Sequence, residues 1–276
     1  MNSTDIIIFS GQSNMQGQSE ALPKENLPVE GATEYRYGGD MLVPLKHPVG
    51  ESLDDNGNIV LGINGDLWKE WDKSQESVEW LLGTNALLSS TEGNANLVPF
   101  FCDSYVKKTG RKCVAVHTAK GSTTISYWLK GARGYKIMLK KAKAAIEKVN
   151  PDNIYFVWLQ GESDALESRS FGDYKKDIED LNDSLKKDLG IDKFGIILVG
   201  RFTNDERDFE IIEAQRQVCK DNSDFIMLTE LSQTLLNDKE NVNPHANGHF
   251  SLKGFERLGK DAGETLGAYV NGCMKI

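Results

Sequence analysis

The residues best suited to do chemistry are a serine near the start of the chain and a histidine near its end. Ser13 lies in Ser10-Gly11-Gln12-Ser13-Asn14-Met15, directly after the apolar run Ile6-Ile7-Ile8-Phe9. A serine hydroxyl is a weak nucleophile until a neighbouring base takes its proton. Gly11 lets the chain turn sharply off the preceding run, and the Ser13 N–H is then a candidate donor to a developing oxyanion. The plainer reading is a serine that caps a turn or a helix. The Gly-x-Ser-x-Gly elbow of α/β-hydrolases is not met, because Met15 stands at the second glycine position.

The chain has four histidines: His47, His117, His245 and His249. His249, in Gly248-His249-Phe250-Ser251 just before a helical stretch, is the first candidate base, and His245 is the second. Their separation of four residues is also a helical metal-ligand spacing. Pro244 and Gly248 argue against a helix there, so no metal or other cofactor is expected.

These residues need a scaffold that brings distant loops together. Short runs rich in Ile, Val and Phe at Asp5–Phe9, Lys112–His117, Ile154–Leu159, Gly195–Val199 and Phe225–Leu228 read as strands buried on both faces. Amphipathic stretches at Val98–Thr109, Tyr135–Val149, Tyr174–Leu189, Asp208–Lys220 and Leu252–Val270 read as the helices between them. Strands alternating with helices predict a three-layer α/β/α sandwich around a central five-stranded parallel sheet. Ligands then bind beyond the carboxyl ends of the strands, where Ser13 falls. Residues about 20–96 break the alternation, being rich in Gly, Asn, Asp and Trp. They read as a long, loop-rich insertion within a single domain spanning residues 1–276.

Bulk properties narrow the class further. With 32 basic and 41 acidic side chains the net charge is −9, which disfavours nucleic acid and anionic lipid as partners. The four cysteines form no CxxC pair and read as reduced thiols. The start of the chain has no basic segment before its short apolar run, and no stretch approaches the ~20 apolar residues of a membrane span. A soluble, cytoplasmic enzyme is the expectation, with its oligomeric state open.

Gly11-Gln12-Ser13-Asn14-Met15 resembles the first block of the SGNH hydrolases, and more narrowly of the sialate O-acetylesterase and acetylxylan esterase group, carbohydrate esterase family 6. Lys120-Gly121-Ser122-Thr123-Thr124-Ile125-Ser126-Tyr127-Trp128 resembles the second block. Trp158-Leu159-Gln160-Gly161-Glu162-Ser163-Asp164 resembles the third, and Gly248-His249-Phe250-Ser251 the histidine block. Each block alone is weakly specific; four in order, across residues 5 to about 260, are strongly so.

The resemblance implies a flavodoxin-like SGNH fold and a serine esterase that removes acetyl groups from sugar hydroxyls. Ser13 would be the nucleophile and His249 its base, with an oxyanion hole from the N–H groups of Ser13 and Gly121 and the Gln160 side chain. Two departures matter. Many SGNH enzymes carry an aspartate three residues before the histidine, where this chain has Ala246. The resemblance therefore makes Glu162 the candidate carboxylate of a Ser-His-Glu triad. Ser163 stands where the general pattern has an oxyanion-hole asparagine.

Gln12, Asn14 and Trp128 are candidate substrate-binding residues, since aromatic faces stack on sugars. Trp68, Trp71 and Trp80 are either part of the same cleft or packing for the insertion. Asp164 reads as structural, tying loops together through backbone N–H groups, and Arg201 as a salt-bridge partner. The expected partner is an acetylated sugar or oligosaccharide. The competing readings are a generic short-chain esterase or thioesterase, and a non-catalytic carbohydrate-binding protein on the same fold.

Overall fold

The computed structural model describes residues 3–50, 52–53, 59–60, 95–246 and 248–273. Its centre is a seven-stranded sheet. The strands are β1 (Thr4–Gly11), β2 (Ala32–Arg36), β3 (Met41–Pro44), β4 (Lys112–His117), β5 (Asn153–Leu159), β6 (Lys193–Ile197) and β7 (Phe225–Thr229). Their spatial order is β3-β2-β4-β1-β5-β6-β7, and every pairing is parallel except β2 with β3.

All five strands expected from the sequence are present and adjacent. Two more extend the sheet, and both come from the segment read as a loop-rich insertion. Within the first part of that segment, Ala32–Arg36 and Met41–Pro44 belong to the main sheet. Their signal is weak because β3 is an edge strand with mostly exposed side chains, and β2 carries Glu34, a buried charge. Gly50 N–H satisfies that carboxylate at 2.9 Å, and Arg36 pairs with it at 3.2 Å. Trp68, Trp71 and Trp80 lie outside the described residues.

Period-two alternation divides the strand side chains between two cores. Ile6, Ile8, Val114, Val116, Phe156, Trp158, Phe194 and Ile196 face one side. There they meet α3 (Arg133–Val149), α5 (Phe171–Leu189) and α6 (Glu206–Asp221). Ile7, Phe9, Ala115, Val157, Leu159 and Ile197 face the other, against α2 (Val98–Thr109) and α8 (Leu252–Val270). The α2–α8 contact is close because Gly259 and Gly263 carry no side chain. A Cβ there would lie 2.5 Å from Leu97 O and 2.2 Å from Phe101 O. Both faces are apolar, as a parallel sheet covered on two sides requires. Among the described residues no helix is long and apolar enough to cross a membrane.

The topology fixes where a site can form. From β1 the chain crosses to β2 on one side, and from β4 it crosses past β1 to β5 on the other, so the connections diverge beside β1 and open a crevice at the carboxyl ends of the strands. Three short helices lie at or near this end: α1 (Ser13–Gln16), α4 (Glu162–Leu166) and α7 (Ser232–Leu235).

Candidate active site

Ser13 is the first residue of α1, immediately past β1. The turn needs Gly11, whose φ is +144° and whose missing Cβ would fall 2.0 Å from Leu159 O. Gln12 N–H bonds Leu159 O at 3.1 Å, which fixes the turn against β5. From the far end of the chain, His249 Nε2 comes within 2.9 Å of Ser13 Oγ. Both side chains are buried. With Nε2 as acceptor this is the geometry of a hydroxyl and its general base. His245, the other candidate, is exposed in a turn, and the described residues between 243 and 250 form no helix on which it and His249 would share a face.

Asn14 joins the serine loop to the histidine loop. Its Oδ1 accepts from Phe250 N–H at 3.2 Å, and its Nδ2 donates to Gly248 O at 3.1 Å and to Glu162 Oε1 at 2.8 Å. One N–H and one carbonyl from the histidine loop thus fix which way the amide points. Glu162 itself is buried, and its Oε2 has no hydrogen-bond partner among the described residues. Among the described residues the Glu162 carboxyl bonds Asn14 in place of a hydrogen bond to the His249 imidazole, and Asn14 bonds the residues on either side of His249. Burial raises the Glu162 pKa above its ordinary value, a shift the Asn14 hydrogen bond opposes and the nearby Asp164 and Asp208 reinforce.

A family model described as carbohydrate esterase, sialic acid-specific acetylesterase, matches residues 3–266. The chain belongs to this family of carbohydrate esterases. A probable carbohydrate esterase of Arabidopsis thaliana is 25% identical over 245 residues, covering 84% of this chain and 86% of that protein. The crystal structure of an Arabidopsis thaliana protein superposes with a TM-score of 0.68 at 17% identity, covering 98% of this chain and 99% of the other. NanS superposes with a TM-score of 0.67 at 12% identity, covering 98% of each chain. At these identities the structural likeness speaks to the fold.

An esterase needs donors for the carbonyl oxygen as well as a nucleophile and a base, and here the structure corrects the sequence reading. Gln160 is not available as a donor. Its Nε2 is already engaged by Gln12 Oε1 at 3.1 Å, Thr123 O at 2.9 Å and Asp164 Oδ2 at 2.5 Å, and its Oε1 accepts from Tyr174 OH at 3.0 Å. A fully engaged, fully buried amide holds loops together. Gly121 lies beside Ser13, where a Cβ on it would be 3.5 Å from Ser13 Cβ, and its N–H donates to Gln16 Oε1 at 2.7 Å.

The candidate substrate contacts are corrected too. Gln12 Oε1 accepts from Ser163 N–H at 3.1 Å as well as from Gln160, so it clamps the β1 and β5 loops. Asn14 is the bridge just described. Trp128 is 1% exposed, meets Trp158 edge-on at 5.9 Å and donates its Nε1–H to Thr123 Oγ1 at 3.0 Å. Exposing such a ring to stack on a sugar would cost about 2–3 kcal/mol of apolar burial. Asp164 ties loops as expected, accepting from Ile125 N–H at 2.8 Å and from Gln160, and burial pushes its carboxyl up to about 6. Arg201 lies 4.6 Å over the Phe209 ring and pairs with no carboxylate among the described residues.

Three residues near the site carry no motif signal. Phe202 meets His249 edge-on at 6.3 Å and occupies the space a Cβ on Gly248 would need. Asp208 holds the Phe202 loop by accepting from the N–H groups of Phe202 at 3.1 Å, Thr203 at 2.9 Å and Asn204 at 2.7 Å. Gln16 is the third. A run of loop residues followed by an acid at a helix start was the available clue to Asp208; nothing in the sequence marks the other two.

Proposed function

We propose that this carbohydrate esterase hydrolyses acetyl esters of sugar hydroxyls through a covalent acetyl-serine. Ser13 Oγ attacks the acetyl carbonyl carbon while His249 Nε2 takes the hydroxyl proton. The tetrahedral oxyanion is held by the Ser13 N–H and by the Gly121 N–H once that group is free. Collapse breaks the bond to the sugar oxygen, which leaves with the proton from His249. Water, deprotonated by His249, then attacks the acetyl carbon, and acetate departs as Ser13 Oγ regains its proton. Glu162 acts as a positioning residue through Asn14.

The observation that carries this reading is the 2.9 Å contact between Ser13 and His249, 236 residues apart in sequence, at the crevice of the sheet. A non-catalytic sugar-binding protein has no use for that pairing. Acetylated xylan fragments and O-acetyl sialic acids are the substrate classes that follow from the family. Measured acetate release from acetylated xylo-oligosaccharides beside 9-O-acetyl sialic acid tests the assignment. Activity on at least one is expected, with loss of at least ~1000-fold on Ser13→Ala. Near-normal turnover by Ser13→Ala, or a preference for octanoyl over acetyl esters, would overturn it.

A further inference from the structure

The Gly121 N–H, placed beside Ser13 to receive a carbonyl oxygen, already holds one. Gln16 Oε1 accepts from it at 2.7 Å. The amide orientation is set by chemistry, because only the oxygen end of a glutamine can accept from an N–H. A Cβ built on Gly121 would lie 3.0 Å from that oxygen and 3.5 Å from Ser13 Cβ, so the three groups crowd one spot. A glutamine amide oxygen and an ester carbonyl oxygen are the same kind of acceptor.

The other end of the Gln16 amide completes the picture. Nε2 is buried and has no hydrogen-bond partner among the described residues. Buried donors are nearly always paired, and leaving one unpaired is costly. Compare Gln160, whose Nε2 and Oε1 both have partners. The Gln16 side chain is therefore held at one end only, and its hold on Gly121 is partly cancelled by the strain of the unpaired donor.

We propose that Gln16 is a displaceable stand-in for the substrate carbonyl. It keeps the Gly121 N–H occupied in the free enzyme and must swing off it when an acyl group enters. The inference rests on Ser13 being the nucleophile, and it assigns Gln16 a role in access to the oxyanion site. The competing explanation is an anchor: Gln16 could serve only to hold the Gly121 loop in place.

Two substitutions separate these. Gln16→Ala empties the spot. As a stand-in, its loss raises kcat/KM on a small aryl acetate by about fivefold, the factor expected for one neutral hydrogen bond no longer displaced. As an anchor, its loss lowers activity. Gln16→Glu offers a charged acceptor that grips the N–H harder and repels an oxyanion. As a stand-in it lowers kcat/KM at least tenfold at pH 8, and its ratio to the unaltered enzyme rises as the pH falls and the new carboxyl is protonated. As an anchor it retains activity.

A direct view comes from the protein phosphonylated on Ser13 by a fluorophosphonate. The phosphoryl oxygen should sit on Gly121 N–H with the Gln16 amide turned away. If Gln16 Oε1 still holds Gly121 N–H in that adduct, or if Gln16→Ala is no faster than the unaltered enzyme, the stand-in is refuted. Failure of the probe to label Ser13 at all would instead refute the underlying function.

Discussion

Replacing Glu162 by glutamine asks whether its carboxylate acts on the imidazole or on Asn14. In the structure its hydrogen-bond partner is Asn14 Nδ2, at 2.8 Å. Glutamine keeps a carbonyl oxygen in the same place, so the bond survives and only its charge-assisted part is lost. Bonds to charged groups contribute ~1.5–3 kcal/mol and neutral ones ~0.5–1.5 kcal/mol, so the loss is about 1 kcal/mol. If all of it appeared as misplacement of His249, kcat would fall by about fivefold. Part of that loss is offset, because burial already disfavours the Glu162 carboxylate. A folded-state pKa above the ordinary 4.5 means the native protein binds this proton more tightly than the unfolded chain does. Stability is then fully present at low pH and is lost as the pH rises through the folded-state value. Glu162→Gln removes that loss, so its melting temperature at pH 8 should equal or exceed that of the unaltered enzyme. By contrast, a carboxylate acting directly on the imidazole would be worth ~10⁴ in kcat, the penalty seen when a triad aspartate becomes asparagine. The assay is kcat and KM on an aryl acetate from pH 5 to 9, with thermal melts at each pH. A fall of ~1000-fold or more with an unchanged melting temperature would show that Glu162 reaches His249 during turnover, and the Asn14 relay would be wrong.

Two further predictions concern the buried histidines and the loop that holds Phe202. Burial lowers the pKa of both His47 and His117 to about 4, so the native protein refuses protons that the unfolded chain accepts below pH 6.5. Each should cost roughly 3 kcal/mol of stability as the pH falls from 6.5 to 4, on an order-of-magnitude linkage estimate. His47 packs 4.9 Å from Phe100 and neither ring nitrogen has a hydrogen-bond partner among the described residues. His47→Phe should therefore keep the melting temperature at pH 7.5 and recover about half the acid loss, measured as the difference between the two proteins at pH 4.5. An identical decline in both would remove His47 from the account. In the Phe202 loop, Asp208→Ala orphans three backbone N–H groups and releases Phe202 from His249. Loss of about 3 kcal/mol in urea melts and about tenfold in kcat is expected, with Asp208→Asn recovering part of both. Unchanged kcat in a destabilised Asp208→Ala would confine Asp208 to the fold.

The sequence made some of this architecture readable and hid the rest for physical reasons. The five central strands were legible because burial on both faces leaves unbroken apolar runs such as Ile6–Phe9, whereas β3 is a mostly exposed edge strand and β2 is interrupted by the buried charge of Glu34, so neither has such a pattern. Ser13 and His249 were legible because a turn off a strand end and a loop before a helix both leave local marks. What each neighbour does was not, since that is decided by partners far away in sequence. Gln12, Asn14 and Gln160 are all polar, near Ser13, and plausible hands for a substrate. Yet Gln12 meets Gln160 across 148 residues, and Asn14 meets Glu162 across the same interval. Parallel strands β1 and β5 run side by side, so equal steps past their ends bring matching positions of the two loops together. Polar residues there bond each other before any ligand arrives. The side chains best placed to meet substrate are thus those the loops leave unsatisfied. By that criterion Gln16, with one end of its amide bonded to Gly121 and the other bonded to nothing described, is the polar neighbour of Ser13 most free to move.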